Sequence, residues 1–304
     1  MRLGRGINLG NALEAPYEGK WGVSLDESYF QIIAEAGFNS IRIPIRWSGH
    51  AKMEPPYEID PDFFSRIDWA IEQTLSRNLI AVINMHHYED LMEQPQSQKE
   101  RFLALWDQIA ARYRYESVDL FFEILNEPTL NLTPELWNEY LEEAIGVIRK
   151  TNPSRLIIIG TALWGEMFAL EELILPEDDR NIIVTIHYYR PFAFTHQGAE
   201  WIPWSHLWLN LEWIGDQSDV QEVDYDLKHL QSWSVENNRP IFVGELGTYY
   251  RADIRSRIRW TEYVTRQSEQ KGFSWAYWEF GAGFGVYDIA RADWNYSLLN
   301  ALIP

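Results

Sequence analysis

The run Leu120-Phe121-Phe122-Glu123-Ile124-Leu125 leads into Asn126-Glu127-Pro128, and Thr133-Pro134 then opens a helical pattern through Leu136, Leu141 and Ile148. The first segment is almost continuously apolar, as in a strand covered on both faces. Pro at a first helical position marks the start of the second. The same alternation extends in both directions. Strands are expected at residues 4–9, 40–45, 80–85, 120–125, 156–160, 182–186, 241–243 and 274–278. Between them, Ser24 with Glu27 and Ser97 with Glu100 read as capping boxes, Asp60-Pro61 opens a helix ending near Asn78, and another runs from about Asp253 to Gly272. Eight strand-then-helix units without a linker predict an α/β protein, a single-domain (β/α)8 barrel over residues 1–304. A doubly wound open sheet fits less well, because the glycines of Gly4-Arg5-Gly6-Ile7-Asn8-Leu9-Gly10 lack phosphate-loop spacing.

The 304 residues include 46% hydrophobic side chains, enough for a large core without cross-links, and no Cys, which excludes disulfides, thiolate metal sites and Cys nucleophiles. With 26 Lys+Arg against 45 Asp+Glu, the net charge of −19 repels phosphate backbones and anionic lipid. Neither nucleic acid nor membrane is an expected partner. No apolar run reaches the ~18 residues of a membrane span, and Met1-Arg2-Leu3-Gly4-Arg5 lacks the apolar stretch of a leader. The 15 Trp are in excess. Most are expected in the core, with a smaller set lining a ligand site. Four of them, Trp201, Trp204, Trp208 and Trp213, fall in a long connection between the sixth strand and a helix expected near Asp224, and a loop of that length is usually functional.

Barrels of this kind keep their chemistry at the C-terminal ends of the strands. Those ends carry Asn8 and Asn11, Arg42 and Trp47, His86-His87-Tyr88, Asn126-Glu127-Pro128, Trp164, His187-Tyr188-Tyr189, Glu245 and Trp278-Glu279. Glu127 and Glu245 each follow directly on a buried strand, where a carboxylate is desolvated unless it is used or paired. Arg42 reads either as part of the site or as the neutraliser of a buried acid. His86 and His87 are adjacent and would point opposite ways on a strand, which argues against a shared metal. Strands four and seven of an eight-stranded barrel stand roughly 14 Å apart, so inward-reaching Glu side chains would bring their carboxyls on the order of 6 Å from each other. That spacing permits a two-carboxylate glycosidase without choosing between retention at about 5–5.5 Å and inversion at about 6.5–9.5 Å.

Seven segments together resemble glycoside hydrolase family 5, the cellulase family built on this barrel. They are Gly6-Ile7-Asn8-Leu9-Gly10-Asn11-Ala12-Leu13-Glu14, Ile41-Arg42-Ile43-Pro44, Met85-His86-His87-Tyr88, Ile124-Leu125-Asn126-Glu127-Pro128, Ile186-His187-Tyr188-Tyr189, Gly244-Glu245 and Tyr277-Trp278-Glu279. Trp278-Glu279-Phe280 and His196-Gln197-Gly198-Ala199-Glu200-Trp201 are similar to the thermophilic bacterial branch that hydrolyses cellulose-type glucans and mannans. The resemblance implies a retaining endo-β-1,4-glycanase, with no metal and no cofactor. Glu127 would be the acid/base and Glu245 the nucleophile. Asn126 would bond the sugar 2-OH, Arg42 would keep Glu245 ionised and Tyr189 would bond it. His187 would orient Glu127, and His86 would support the sugar beside the cleavage point. Trp278 would stack beneath a sugar, and Asn11, Glu14, His87, Trp164, His196, Trp201 and Glu279 would contact substrate.

The chain departs from that branch after His196, where Ile202-Pro203-Trp204-Ser205-His206-Leu207-Trp208 is unusually aromatic. One or more of Trp201, Trp204 and Trp208 is expected to form a sugar-stacking platform; packing of the loop itself is the alternative for Trp204 and Trp208. The partner expected is a polysaccharide or oligosaccharide such as β-1,4-glucan or glucomannan, taken by a monomer. A polymer substrate implies an extracellular protein, and the N-terminus shows no leader. Competing readings are an exo-acting β-glucosidase or mannosidase, a non-catalytic carbohydrate-binding barrel, and a metal-dependent barrel enzyme using His86, His187, Glu127 and Glu245.

Overall fold

The computed structural model describes residues 3–304; Met1 and Arg2, the start of the N-terminal segment considered above, lie outside the described residues. Eight parallel strands close in sequence order: β1 (Arg5–Asn8), β2 (Ser40–Ile43), β3 (Ile80–Asn84), β4 (Leu120–Glu123), β5 (Ile157–Gly160), β6 (Ile182–Tyr188), β7 (Ile241–Leu246) and β8 (Ser274–Tyr277), with β8 pairing back to β1. The chain is therefore a (β/α)8 barrel, and no helix among the described residues is long and apolar enough to cross a membrane.

Strand side chains alternate between the barrel interior and the helices. Val82, Phe121, Ile158, Ile183 and Phe242 form the interior plug with Leu3, Ile80 and Ala276. Two residues beyond Val82 and Phe121 on the same faces stand Asn84 and Glu123, paired with each other across β3 and β4. Asn8 and Arg42 are likewise paired across β1 and β2. A polar layer thus covers the apolar plug, and it forms the floor of the site.

Between β6 and β7 the register shifts, so that Ile186 faces Val243 but His187 faces Glu245. This bulge sets an imidazole beside a carboxylate. It needs Gly244, because a Cβ there would lie 2.5 Å from Thr185 Oγ1.

Helix starts follow local chemistry. Thr133 and Asp253 cap Pro134–Arg149 and Ile254–Gln270, and Asp60 caps Pro61–Leu75, as expected. Two capping boxes do not form. Asp26, nearer the helix than Ser24, accepts the Ser28 N–H instead, and Pro95 starts its helix early enough to place Ser97 and Glu100 inside it. The helix expected near Asp224 begins at Gln217, because Asp216 caps it through Ser218 and Asp219. After β5 no long helix forms: left-handed Leu163 and Trp164 break the one-turn segment Ala162–Gly165, and a 3₁₀ segment, Met167–Glu172, follows. β6 and β7 run longer than expected, so Glu245 lies within a strand rather than after it.

Several buried Trp residues also brace the rim. Trp47 donates its indole N–H to Asn84 O at 2.9 Å, Trp106 to Ile124 O at 3.0 Å, Trp137 to Gly160 O at 2.9 Å and Trp260 to Arg190 O at 2.9 Å. Each satisfies a carbonyl near the top of a strand while filling the strand–helix interface.

Candidate active site

Arg42 organises the floor. Its Nε and Nη2 donate to the two oxygens of Glu123 at 2.7 and 2.6 Å, and its Nη1 donates to Glu245 Oε1 at 2.7 Å and to Asn8 Oδ1 at 2.8 Å. Nη2 also reaches Asn126 Oδ1 at 2.6 Å. Both readings of Arg42 are therefore realised at once: it neutralises a buried acid and it pairs with Glu245. The other Glu245 oxygen accepts the Tyr189 hydroxyl at 2.9 Å. Across the cleft, Glu127 Oε1 lies 2.7 Å from His187 Nδ1, and that nitrogen is 3.6 Å from Glu245 Oε2. Oxygens of the two carboxylates approach within 4.8 Å of each other. The Glu127 side chain is 25% exposed and that of Glu245 5%, so the first faces the open cleft and the second its floor.

The electrostatics follow from this packing. Burial opposes charge on His187, but the carboxylates of Glu245 and Glu127 outweigh it and hold the imidazole pKa above its ordinary value. His86 is driven well below the ordinary value, first by burial and then by His87, Arg42 and His187. It sits in the site as a neutral ring. Burial opposes the Arg42 cation as well, yet Glu123 and Glu245 raise its pKa. Tyr189 is raised by burial and by Glu245, so it remains a hydroxyl donor.

A second acidic pair lies on one wall. Burial raises Glu14 to about 8 and Glu279 to about 7, although backbone N–H groups oppose both shifts. Asn11 links them. Its backbone N–H donates to Glu14 and its Nδ2 to Glu279 Oε2 at 3.2 Å. The other Glu279 oxygen accepts from Ala282 and Phe284 at 3.0 and 3.2 Å.

The cavity above both pairs measures about 760 Å³. Of the expected residues it is lined by Asn11, Glu14, His86, His87, Asn126, Glu127, Tyr189, His196, Trp201, Glu245, Trp278 and Glu279. Arg42 and His187 support it from beneath. Trp164 is 57% exposed at the rim, its backbone N–H donating to Pro128 O at 3.3 Å, and is not among the lining residues. His86 and His87 do not point opposite ways, because β3 ends at Asn84 and both rings, 4.8 Å apart, turn into the cleft. The Trp278 ring is stacked parallel to His86 at 5.5 Å and lies over Gly10, whose missing Cβ leaves room for it.

Sequence reading places Asn8 at the strand ends but does not point to Glu123 and Asn84, nor to the cleft-lining Trp21, Tyr249 and Phe284. For Glu123 the signal was available: a charge in an otherwise apolar strand, two residues from the inward Phe121. Glu127, His187 and Glu245 are spaced to offer ligand atoms to a metal ion. Arg42 and Tyr189 already occupy the Glu245 oxygens, so an ion there would have to displace existing donors.

Residues 7–283 match the family model described as cellulase, glycosyl hydrolase family 5. Endoglucanase H of Acetivibrio thermocellus is 38% identical over 294 residues, covering 97% of this chain and 31% of that protein. The chain spans about a third of the length of the first curated relatives it matches. Crystal structures of Thermotoga maritima Cel5A, one in complex with mannotriose and one with cellobiose, superpose with a TM-score of 0.98 at 56% identity, covering 99% of this chain and 98% of those chains. The fold and the paired carboxylates define a glycoside hydrolase barrel. The chain belongs to the cellulase family, glycosyl hydrolase family 5.

Proposed function

We propose that this barrel is a retaining endo-β-1,4-glycanase that cleaves internal bonds of cellulose-type glucans and of (gluco)mannan. The observation that carries the reading is the approach of Glu127 and Glu245 oxygens to within 4.8 Å, with Glu127 25% exposed toward the cleft and Glu245 only 5% exposed and held by Arg42 and Tyr189. Retaining glycosidases hold their carboxyls about 5–5.5 Å apart, too close for a water between acid and base. Glu127, open to the cleft, protonates the leaving oxygen and later takes a proton from water. Glu245, fixed by Arg42 and Tyr189, attacks the anomeric carbon and forms the covalent glycosyl-enzyme. His187 positions Glu127, while Asn126, oriented by Arg42, meets the 2-hydroxyl. The stacked His86 and Trp278 rings support the adjacent sugar.

Breadth across glucan and mannan is supported by the complexes of Thermotoga maritima Cel5A with cellobiose and mannotriose, two ligands on one closely similar barrel. The two sugars differ in the orientation of one hydroxyl, which Asn126 and His87 would face. NMR of a fresh hydrolysate tests the mechanism: the β-hemiacetal should appear first, and an initial α-anomer would establish inversion. Hydrolysis of hydroxyethylcellulose, mixed-linkage glucan, glucomannan, galactomannan and xylan with product sizing tests the substrate range. Mid-length products from the first three and from galactomannan are expected; release of monosaccharide alone would overturn the endo mode.

A further inference from the structure

Residues 197–211 carry no Lys, Arg or Asp, and only Glu200 and His206 as titratable side chains, in a protein of net charge −19. The segment is tied down. Buried Gln197 donates from Nε2 to the carbonyls of Phe194 and Leu211 at 3.1 and 2.9 Å, and its Oε1 accepts the Asn210 N–H at 2.9 Å. Ser205 Oγ donates to Ala199 O at 2.7 Å, and the Gly198 N–H donates to Ser205 O at 3.0 Å. In this braced frame Trp204 takes up a left-handed backbone, φ 67° and ψ 1°, which a bulky residue rarely adopts. Its side chain is nevertheless 70% exposed, as is that of Leu207, whereas Trp213 in the same connection is buried in the core. A rigid loop that presents an indole and a leucine to water is the signature of a contact surface.

Two observations choose the occupant. One is continuity with the cleft. Trp201 lines the cavity with both central carboxylates, and three residues of chain place its Cα within about 11 Å of that of Trp204. From the other side, Phe192 stacks on His196 at 4.1 Å and meets Trp208 edge-on at 6.1 Å, joining the loop to the cleft wall. The other is charge: the segment itself has no Lys or Arg, and the neighbouring Arg251 is paired with Glu200 at 3.6 Å, which suits a neutral ligand with flat C–H faces rather than a phosphate or carboxylate. We infer that Trp204, with Leu207, forms an accessory polysaccharide-contact ledge outside the catalytic cleft, holding a long β-1,4-linked chain that continues over Trp201. This rests on the glycanase reading above.

The test uses the full chain with Trp204→Asn and Trp204→Phe. Asn suits a left-handed backbone and removes the ring, so the melting temperature should hold; Phe keeps a ring. Retardation in native gels containing hydroxyethylcellulose or glucomannan is compared with kinetics on those polymers and on cellotriose. Trp204→Asn should lower retardation and raise the polymer KM by about three- to tenfold, the effect of one exposed aromatic contact, while Trp204→Phe restores most of it. Cellotriose turnover should not change. Unchanged polymer retardation and KM in a folded Trp204→Asn would overturn the inference. So would a wild-type dimer that becomes monomeric in Trp204→Asn at equal polymer affinity, which would make the loop a self-association surface. A wild-type protein that neither hydrolyses nor binds any β-1,4-glycan would overturn the glycanase reading too, whereas a defect confined to the variant leaves that reading standing.

Discussion

Two acidic pairs share one cleft, and they are held in different ways. Glu245 lies against the Arg42 guanidinium, which also neutralises Glu123, and Glu127 lies against an imidazole whose proton the two carboxylates favour. Glu14 and Glu279 are buried, more deeply than Glu127, and have only N–H dipoles and the Asn11 amide for partners. Both pKa values rise, to about 8 and about 7. Hydrogen bonds from neutral donors do not offset the loss of water around a carboxylate; a fully charged neighbour does far more. Glu14 and Glu279 are therefore held protonated well above the ordinary carboxylate range, whereas Glu127 and Glu245 each face a cationic or proton-bearing partner.

The largest effect expected from breaking this contrast is on turnover. Glu127→Ala and Glu245→Ala should each lower kcat on a soluble β-glucan by on the order of 10⁴-fold or more. Azide should give the β-glycosyl azide with Glu127→Ala and the α-anomer with Glu245→Ala; full activity in either variant would dissolve the distinction between the pairs. Arg42→Met leaves Glu123 and Glu245 buried without their cation. Denaturant titration should show a loss of about 3–5 kcal/mol, and an unchanged midpoint would mean that Arg42 neutralises nothing.

The second pair makes a pH prediction. Because Glu14 and Glu279 titrate above their ordinary 4.5, the folded protein binds more protons than the unfolded chain between pH 4.5 and about 8. Their contribution to stability falls as pH rises through that window and levels off above it. Glu279→Gln removes one such group. Its advantage over the parent should grow with pH, reaching on the order of 3 kcal/mol near pH 8.5 for a group moved from 4.5 to about 7. Parallel pH profiles of parent and variant would show that Glu279 is not held protonated. The smallest effect is steric. Gly10→Ala brings a Cβ to 2.9 Å from the Trp278 ring. Oligosaccharide KM should rise by about two- to fivefold as the ring shifts, with kcat little altered because neither carboxylate moves.

Much of this contrast was legible in the chain. Continuous apolar runs between helical patterns gave the barrel, and strand-end positions located Glu127, Glu245, Arg42 and His187. The charge at the end of β4 does not declare a role in a continuously apolar strand, because periodicity alone does not show that the Glu123 face is the barrel interior. The four Trp of the connection after β6 look alike in sequence, yet Trp213 is core, Trp201 lines the cleft, Trp204 is held in water and Trp208 packs on Phe192. Capping boxes misplaced two helix starts because a nearer Asp or a helix-initiating Pro outcompeted them.

The sequence alone determined the order of strands and helices, and hence which residues reach the rim of the cleft. Periodicity and terminal position are local properties, written in spacings of a few residues. Only the tertiary structure decided the partners: that Arg42 serves two acids, that a bulge at Gly244 brings His187 beside Glu245, and that Asn11 bridges Glu14 and Glu279. The charge state of a carboxyl depends on what lies within a few ångströms of it, and barrel closure sets those distances between residues far apart in the chain.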